Sequence, residues 1–239
     1  MAQAISRETA VDLRGIEYAW HRRRQPVLAL DQLQVGRGER LFLRGPSGSG
    51  KTSLLGIIGG VLIPQRGQVT VLGKSLSLLR PAARDRFRAD HVGFIFQMFN
   101  LVPYLTPLEN VLLPLAFSAL RRDRVRASGA LAEEAQRLVA ALGLDPTLLK
   151  GRRVGEMSVG QQQRVAAARA LIGRPEIVIA DEPTSALDSE ARESFLNLLF
   201  KECAASGATL IFVSHDPQLV PLFDRSLDLT LINRAMREA

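Results

Sequence analysis

Residues 45–52 read Gly-Pro-Ser-Gly-Ser-Gly-Lys-Thr, and this octet decides the fold. It fits G-x-x-x-x-G-K-[ST], a loop whose backbone wraps a phosphate chain. An apolar run at 41–43 precedes it and a helical pattern at 50–58 follows, the strand-to-helix setting that the pattern requires. Gly45, Gly48 and Gly50 let the chain turn sharply, so that successive N–H groups point inward. The helix that starts there adds its positive end to the anion site. Lys51 brings a full charge to the β- and γ-phosphates, and the Thr52 hydroxyl is a ligand suited to Mg²⁺. Pro46, Ser47, Ser49 and Ser53 complete the stretch expected to line the phosphates.

Two further apolar runs end in polar clusters. Residues 177–180 lead into Asp181-Glu182. The first carboxylate can hold magnesium through water, and the second can orient and polarise the water that attacks a phosphoryl group. Residues 210–213 lead into Ser214-His215-Asp216. His215 follows a third strand on the side where phosphates are expected. There a neutral imidazole can donate a hydrogen bond to the γ-phosphate; a structural histidine is the alternative.

The three apolar runs carry aliphatic residues at both parities, as strands buried on both faces do. Helical patterns at 50–58, 160–171 and 190–203 lie between or beside them. Alternation of this kind predicts an α/β domain with a parallel sheet and ligands at the carboxyl ends of the strands. From 102 to about 155 the spacing is helical, with helices expected at 110–120 and 126–142. This stretch reads as a helical lobe inserted into the α/β core.

At 239 residues, 46% hydrophobic and 23% charged, the chain has the composition of one globular domain with an insertion. Thirty-one basic against twenty-four acidic residues give +7, which favours an anionic partner without choosing one. A single cysteine, Cys203, excludes an intrachain disulfide and a multi-cysteine zinc site, and reads as a small packed side chain. The longest apolar stretches, 54–64 and 111–120, fall short of the ~18–20 residues that span a bilayer. Residues 1–11 show no export-signal pattern, so a soluble, cytoplasmic chain is expected. The arginines at 22–24 and Arg121, Arg122, Arg124 and Arg126 read as solvated surface, or else as lipid-headgroup or nucleic-acid patches.

These pieces in this order resemble the nucleotide-binding domain of ATP-binding-cassette (ABC) proteins along nearly the whole chain. The segment Met157-Ser158-Val159-Gly160-Gln161, followed by Gln162-Gln163-Arg164, looks like the family's signature, Leu-Ser-Gly-Gly-Gln followed by Gln-Gln-Arg. It departs by methionine at 157 and valine at 159. Ser158 also reads as the cap of the helix beginning near Gly160. The resemblance implies a P-loop NTPase core of RecA-like type with a parallel sheet, an antiparallel β subdomain and an inserted helical subdomain. The core is expected at 1–97 and 162–239, and the helical part at about 98–161.

The resemblance also implies roles. Ser158, Gly160 and Gln161 are expected to close over the γ-phosphate held by a second copy, so that a homodimer sandwiches two ATP molecules. Gln97 matches the glutamine that reaches magnesium and the attacking water. The run 185–188 matches the segment along the dimer seam. Trp20 aligns with the aromatic that stacks on adenine, with Tyr18 as the alternative. A separate transmembrane permease is implied, with the ATPase peripheral to the cytoplasmic side of the inner membrane and no nucleic acid expected. Residues 98–104 are apolar for a loop, and read either as part of the groove for that permease or as packing of the lobe. Residues 99–103 and 105–111 look most like the branch serving lipoprotein release and macrolide export. An ATP-dependent regulator of a membrane complex, as in cell division, is the first alternative reading, and a soluble cassette ATPase linked to nucleic acid the second.

Overall fold

The structure is a computed structural model and describes residues 8–21, 25–185 and 187–236. The arginine run at 22–24 and Ala186 lie outside the described residues. Along the chain come β1 (Thr9–Tyr18), β2 (Leu28–Gly36), β3 (Arg40–Arg44), α1 (Lys51–Ile58), β4 (Arg66–Val71), β5 (Lys74–Ser75) and α2 (Pro81–His91). Then follow β6 (Val92–Ile95), α3 (Pro107–Phe117), α4 (Ala119–Arg126), α5 (Leu131–Ala141) and α6 (Val159–Leu171). The last elements are β7 (Ile177–Asp181), α7 (Ser189–Ser206), β8 (Thr209–Val213), β9 (Arg225–Asp228) and α8 (Leu229–Ile232). They fall into two compact units, one breaking off at Asp85 and resuming at His215, the other running from Arg86 to Ser214.

In the first unit an antiparallel sheet has the order β2-β1-β4-β5. Its core positions do not alternate simply. In β1 the buried residues pass from Val11 and Leu13 to Ile16 and Tyr18, and in β2 from Leu28 and Leu30 to Leu33 and Val35. The change falls at Gly15, where the register of β1 against β4 slips between Arg14 and Glu17. Opposite stands Gly67, at φ 95°, where a Cβ would lie 2.4 Å from the Gly15 carbonyl oxygen. A bulge at this place lets both halves of β1 keep apolar side chains covered. β3 pairs in parallel with β9.

In the second unit β6, β7 and β8 lie side by side in parallel, in the order β6-β7-β8. Ile177, Val178, Ile179 and Ala180 of β7 are fully buried, the larger ones each worth ~1.5–3 kcal/mol of apolar transfer. The predicted strands and the helices at 50–58, 160–171 and 190–203 are all present, within a few residues. Cys203 is buried in α7, as expected of a packed thiol.

The helical lobe differs from its prediction at both boundaries. The helix expected over 110–120 stops at Phe117, because Ser118 leaves helical geometry and caps α4 instead. Its Oγ accepts from Arg121 N at 3.0 Å and donates to Asp90 Oδ1 at 2.6 Å. The helix expected over 126–142 is interrupted at 127–130, and α5 begins only at Leu131. Glu133 turns back to accept from Ala130 N and starts the new helix.

The second arginine group is solvated only in part: Arg126 is exposed, Arg122 and Arg124 are half-buried, and Arg121 is buried. Arg121 is 2% exposed and donates to the carbonyls of Ala170 and Ile172, closing the C-terminal end of α6. Burial lowers its pKa to about 10. Arg124 binds Glu176 Oε1 at 2.6 Å, and His91 Nδ1 lies 3.0 Å from the other carboxylate oxygen. Burial would raise the Glu176 pKa, but the hydrogen bonds from His91 and Arg124 outweigh it and hold the group at about 2. Glu176 thereby anchors the entry to β7.

A carboxyl group with a depressed folded pKa stabilises the fold fully above its ordinary value of 4.5 and loses that contribution as pH falls towards about 2. Glu176→Gln should lower the unfolding free energy by about 1–2 kcal/mol at neutral pH, with the screening of a partly exposed side chain discounted. The difference from the parent should vanish on acidification. Urea melts across that pH range check both statements.

Candidate active site

The phosphate loop leaves β3, whose Leu41, Phe42 and Leu43 are buried. Arg44 closes the strand by pairing with Asp228 at 3.2 Å. Gly48 and Gly50 have φ of 80° and 97°, a region that side chains strain to enter. Gly45 is needed for space as well: a Cβ there would lie 2.6 Å from Ser49 Oγ. α1 follows with no side-chain cap and no acidic residue in its first turn. Its leading amides and its dipole are therefore offered to an anion. Lys51 Nζ curls over the loop and donates to Gly45 O at 2.7 Å and Pro46 O at 2.8 Å. Pro46, Ser47, Gly48 and Thr52 are exposed, whereas Ser49 and Ser53 are buried and can serve the loop only through their backbone N–H groups.

In the same unit Trp20 is 59% exposed and meets the ring of Tyr18 edge-on at 5.5 Å. Tyr18 is buried, so of the two aromatics only Trp20 offers a face for stacking. Ala19, between them, is clamped by Gln65, which accepts from its N–H and donates to its carbonyl, both at 2.8 Å. His215 is exposed.

In the second unit β7 presents Asp181 as its last residue. Glu182 follows at φ 45°, a left-handed conformation costing about 1–3 kcal/mol for a side chain of this kind. Its N–H donates to Val213 O at 3.0 Å, tying it to the end of β8. Both carboxylates are half-buried. Strain held by two buried strands is where functional groups concentrate.

Ser158 caps α6 reciprocally with Gln161. Gln161 N donates to Ser158 Oγ, and Ser158 N donates to Gln161 Oε1. The Gln161 side chain is thus turned back onto the cap. Met157 is buried, while Ser158 and Val159 are exposed at the tip, Val159 by 49%. Gln97 is exposed two residues beyond β6. Behind it, Phe99 and Asn100 are left-handed at φ 60° and 47°. Arg169 of α6 holds them by donating to both their carbonyls, at 2.6 and 2.7 Å.

Two of these supports escaped the sequence reading. Gln163 is fully buried and donates to Pro183 O at 2.8 Å, joining α6 to the residue after Glu182. Arg169, whose pKa burial lowers, joins the same helix to the segment after Gln97. A signal existed for Gln163. It shares a helical face with Ala166, Ala167 and Ala170, all buried, and a lone polar residue on an apolar stripe implies an internal partner.

The groups expected to hold a metal, the Thr52 hydroxyl, the Gln97 amide and the Asp181 carboxylate, all offer oxygen donors. Hard donors of that kind suit magnesium carried largely by phosphate and water. Among the described residues no group of three or more His, Cys, Asp or Glu could hold an ion. No helix among them is long and apolar enough to cross a membrane.

A phosphate loop on one strand, a carboxylate pair on another and an α/β sheet define a P-loop nucleoside-triphosphatase. Comparison with known proteins narrows this class. The sequence profile described as ABC transporter matches residues 29–185, and the chain belongs to that family. It is 40% identical over 231 residues to the lipoprotein-releasing system ATP-binding protein LolD of Anaeromyxobacter dehalogenans, covering 96% of this chain and 93% of that one. It is 42% identical over 212 residues to the uncharacterized ABC transporter ATP-binding protein YbbA of Escherichia coli K12, covering 89% of each. Among solved structures it matches the ATP-binding cassette MJ0796 in a dimeric post-hydrolysis state bound to ADP and Pi. The TM-score is 0.79 at 35% identity, over 91% of this chain and 93% of that one. The chain is accordingly a transporter ATPase.

If Gln163 steadies the turn that carries Glu182, Gln163→Leu should lower kcat for ATP by about tenfold. That is the scale of one buried hydrogen bond lost near a reacting group. KM should change little, as steady-state phosphate release would show.

Proposed function

We propose that the chain binds MgATP at residues 45–53 and hydrolyses it in a closed homodimer that drives a separate membrane permease of lipoprotein-releasing type. The amides of the phosphate loop and Lys51 hold the phosphates, and Trp20 stacks on the adenine. Thr52, Asp181 and Gln97 hold the magnesium, which when bound offsets charge on the phosphate oxygens. Glu182 orients the attacking water and accepts its proton, and His215 donates to the γ-phosphate. Ser158, Gly160 and Gln161 of one copy meet the phosphate held by the other, with residues 185–188 along the seam.

One observation carries the hydrolytic reading. Glu182 is a carboxylate in a strained backbone conformation, fixed at the end of a buried strand by Val213 and next to a turn braced by Gln163. Relatives named as lipoprotein-releasing ATP-binding proteins, at 40–41% identity, support the branch. The dimeric state of the MJ0796 cassette supports the two-fold arrangement. Closure then follows from ATP contacting both copies at once, and opening from loss of its γ-phosphate.

The permease surface is assigned to residues 98–104. Met98 is 80% and Tyr104 71% exposed, yet the backbone between them is held firmly. Arg169 fixes the carbonyls of residues 99 and 100, and buried Asn110 accepts from Val102 N while donating to Val102 O and Thr106 O. Exposed apolar side chains on a rigid loop are what a docking site needs. Engagement there places the chain at the cytoplasmic face of the inner membrane.

Glu182→Gln should bind ATP as the parent does, hydrolyse it at least about a hundredfold more slowly, and accumulate as a dimer in light scattering. A variant that hydrolyses at the parent rate removes Glu182 from the chemistry. Ser158→Arg should bind ATP as a monomer and fail to dimerise in the Glu182→Gln background, measured the same way.

A further inference from the structure

In the unit that carries the phosphate loop, one buried amide uses its whole hydrogen-bonding capacity. Asn233 is fully buried. Its Oδ1 accepts from Ala29 N at 2.8 Å and Ala235 N at 3.2 Å, and its Nδ2 donates to Val27 O and Ser49 O, both at 3.0 Å. Two donors and two acceptor positions are all that an asparagine side chain has. The partners come from three separate places: the phosphate loop, the opening of β2 and the segment after α8.

The contact with the loop is close as well as bonded. A Cβ on Gly50 would come within 3.1 Å of Val27 O and 3.6 Å of Asn233 Nδ2. The loop backbone therefore rests on this side chain and on β2. Ser49 depends on the contact, because its own hydroxyl is buried with no hydrogen-bond partner among the described residues. On the other side, Val27 N donates to Tyr18 O at 2.7 Å, and the Tyr18 ring backs Trp20. Asn233 is itself placed by α8. Its N–H donates to Leu229 O at 2.8 Å, and Asp228, the cap of that helix, pairs with Arg44 at the mouth of the loop. Asn233 thus joins the loop that offers amides to Val27, and Val27 and Tyr18 carry the connection on to the ring that offers a stacking face.

We propose that Asn233 is a positioning residue that sets the separation between the base platform at Trp20 and the phosphate loop. It governs affinity for a ligand that engages both ends, a nucleoside triphosphate, more than affinity for its phosphate chain alone. The proposal rests on the nucleotide-site reading above.

The test compares MgATP with magnesium tripolyphosphate by calorimetry, in the parent and in Asn233→Ala. Asn233→Ala should weaken MgATP by about tenfold and tripolyphosphate by less than about threefold, the larger loss being about 1.4 kcal/mol. It should raise KM for ATP while changing kcat by less than about twofold. In a Trp20→Ala background the same substitution should cost little more for ATP, since the platform is already gone. Equal loss for both ligands, additivity with Trp20→Ala, or no loss would overturn the proposal; a merely structural role gives the first two. Should Asn233→Ala not fold, Asn233→Asp keeps the shape but, ionised, cannot donate to Val27 and Ser49, and the same comparisons apply. Lys51→Ala is the control and should lose both ligands. A parent that binds neither ligand would overturn the nucleotide site itself, and this proposal with it.

Discussion

An open helix N-terminus is expensive to keep, and the rest of this structure is arranged around keeping one. The first turn of α1 has neither a capping side chain nor an acid, although a capped turn would be steadier by about 1 kcal/mol. The loop before it bends through left-handed glycines that carry no side chains to brace it. Its firmness is therefore borrowed. β3 and its Arg44–Asp228 pair hold the entry, and Asn233 holds residue 49 from beneath. Anion affinity is left in the backbone, and stability is supplied by neighbours.

The carboxylate end follows the same division of labour. β7 is buried along its aliphatic length and pinned at its start by the His91–Glu176–Arg124 cluster. Its last residues can then hold an unfavourable backbone angle. Gln163 and Val213 fix the turn without occupying the carboxylate of Glu182 through any bond of their own side chains. A strained, half-buried position is held here at the end of buried strands, which absorb the cost.

What the sequence revealed follows from how local each device is. The loop at 45–52, the pair at 181–182 and the segment at 157–161 are contiguous, so each pattern could be read without knowing the fold. The antiparallel strands were implied only by the family resemblance, since the bulge at Gly15 shifts the buried parity of β1 and spoils its alternation. The break at Ser118 was hidden because a serine inside an apolar helical pattern need not cap. It does so here because Asp90, twenty-eight residues away, takes its hydroxyl. Arg121 read as surface because charge alone cannot show that two helix-end carbonyls await it. Asn233 was least visible, as its partners lie up to 206 positions distant.

One more property belongs to α6. Its thirteen residues span about 20 Å. Ser158 stands at one tip, Arg169 grips the carbonyls behind the exposed Met98 near the other, and Arg121 locks the far end. A rod clasped in this way cannot yield at one extremity while the other stays still. The exposed serine tip and the loop that faces outward thus share one bonded support, like two fittings on a single beam.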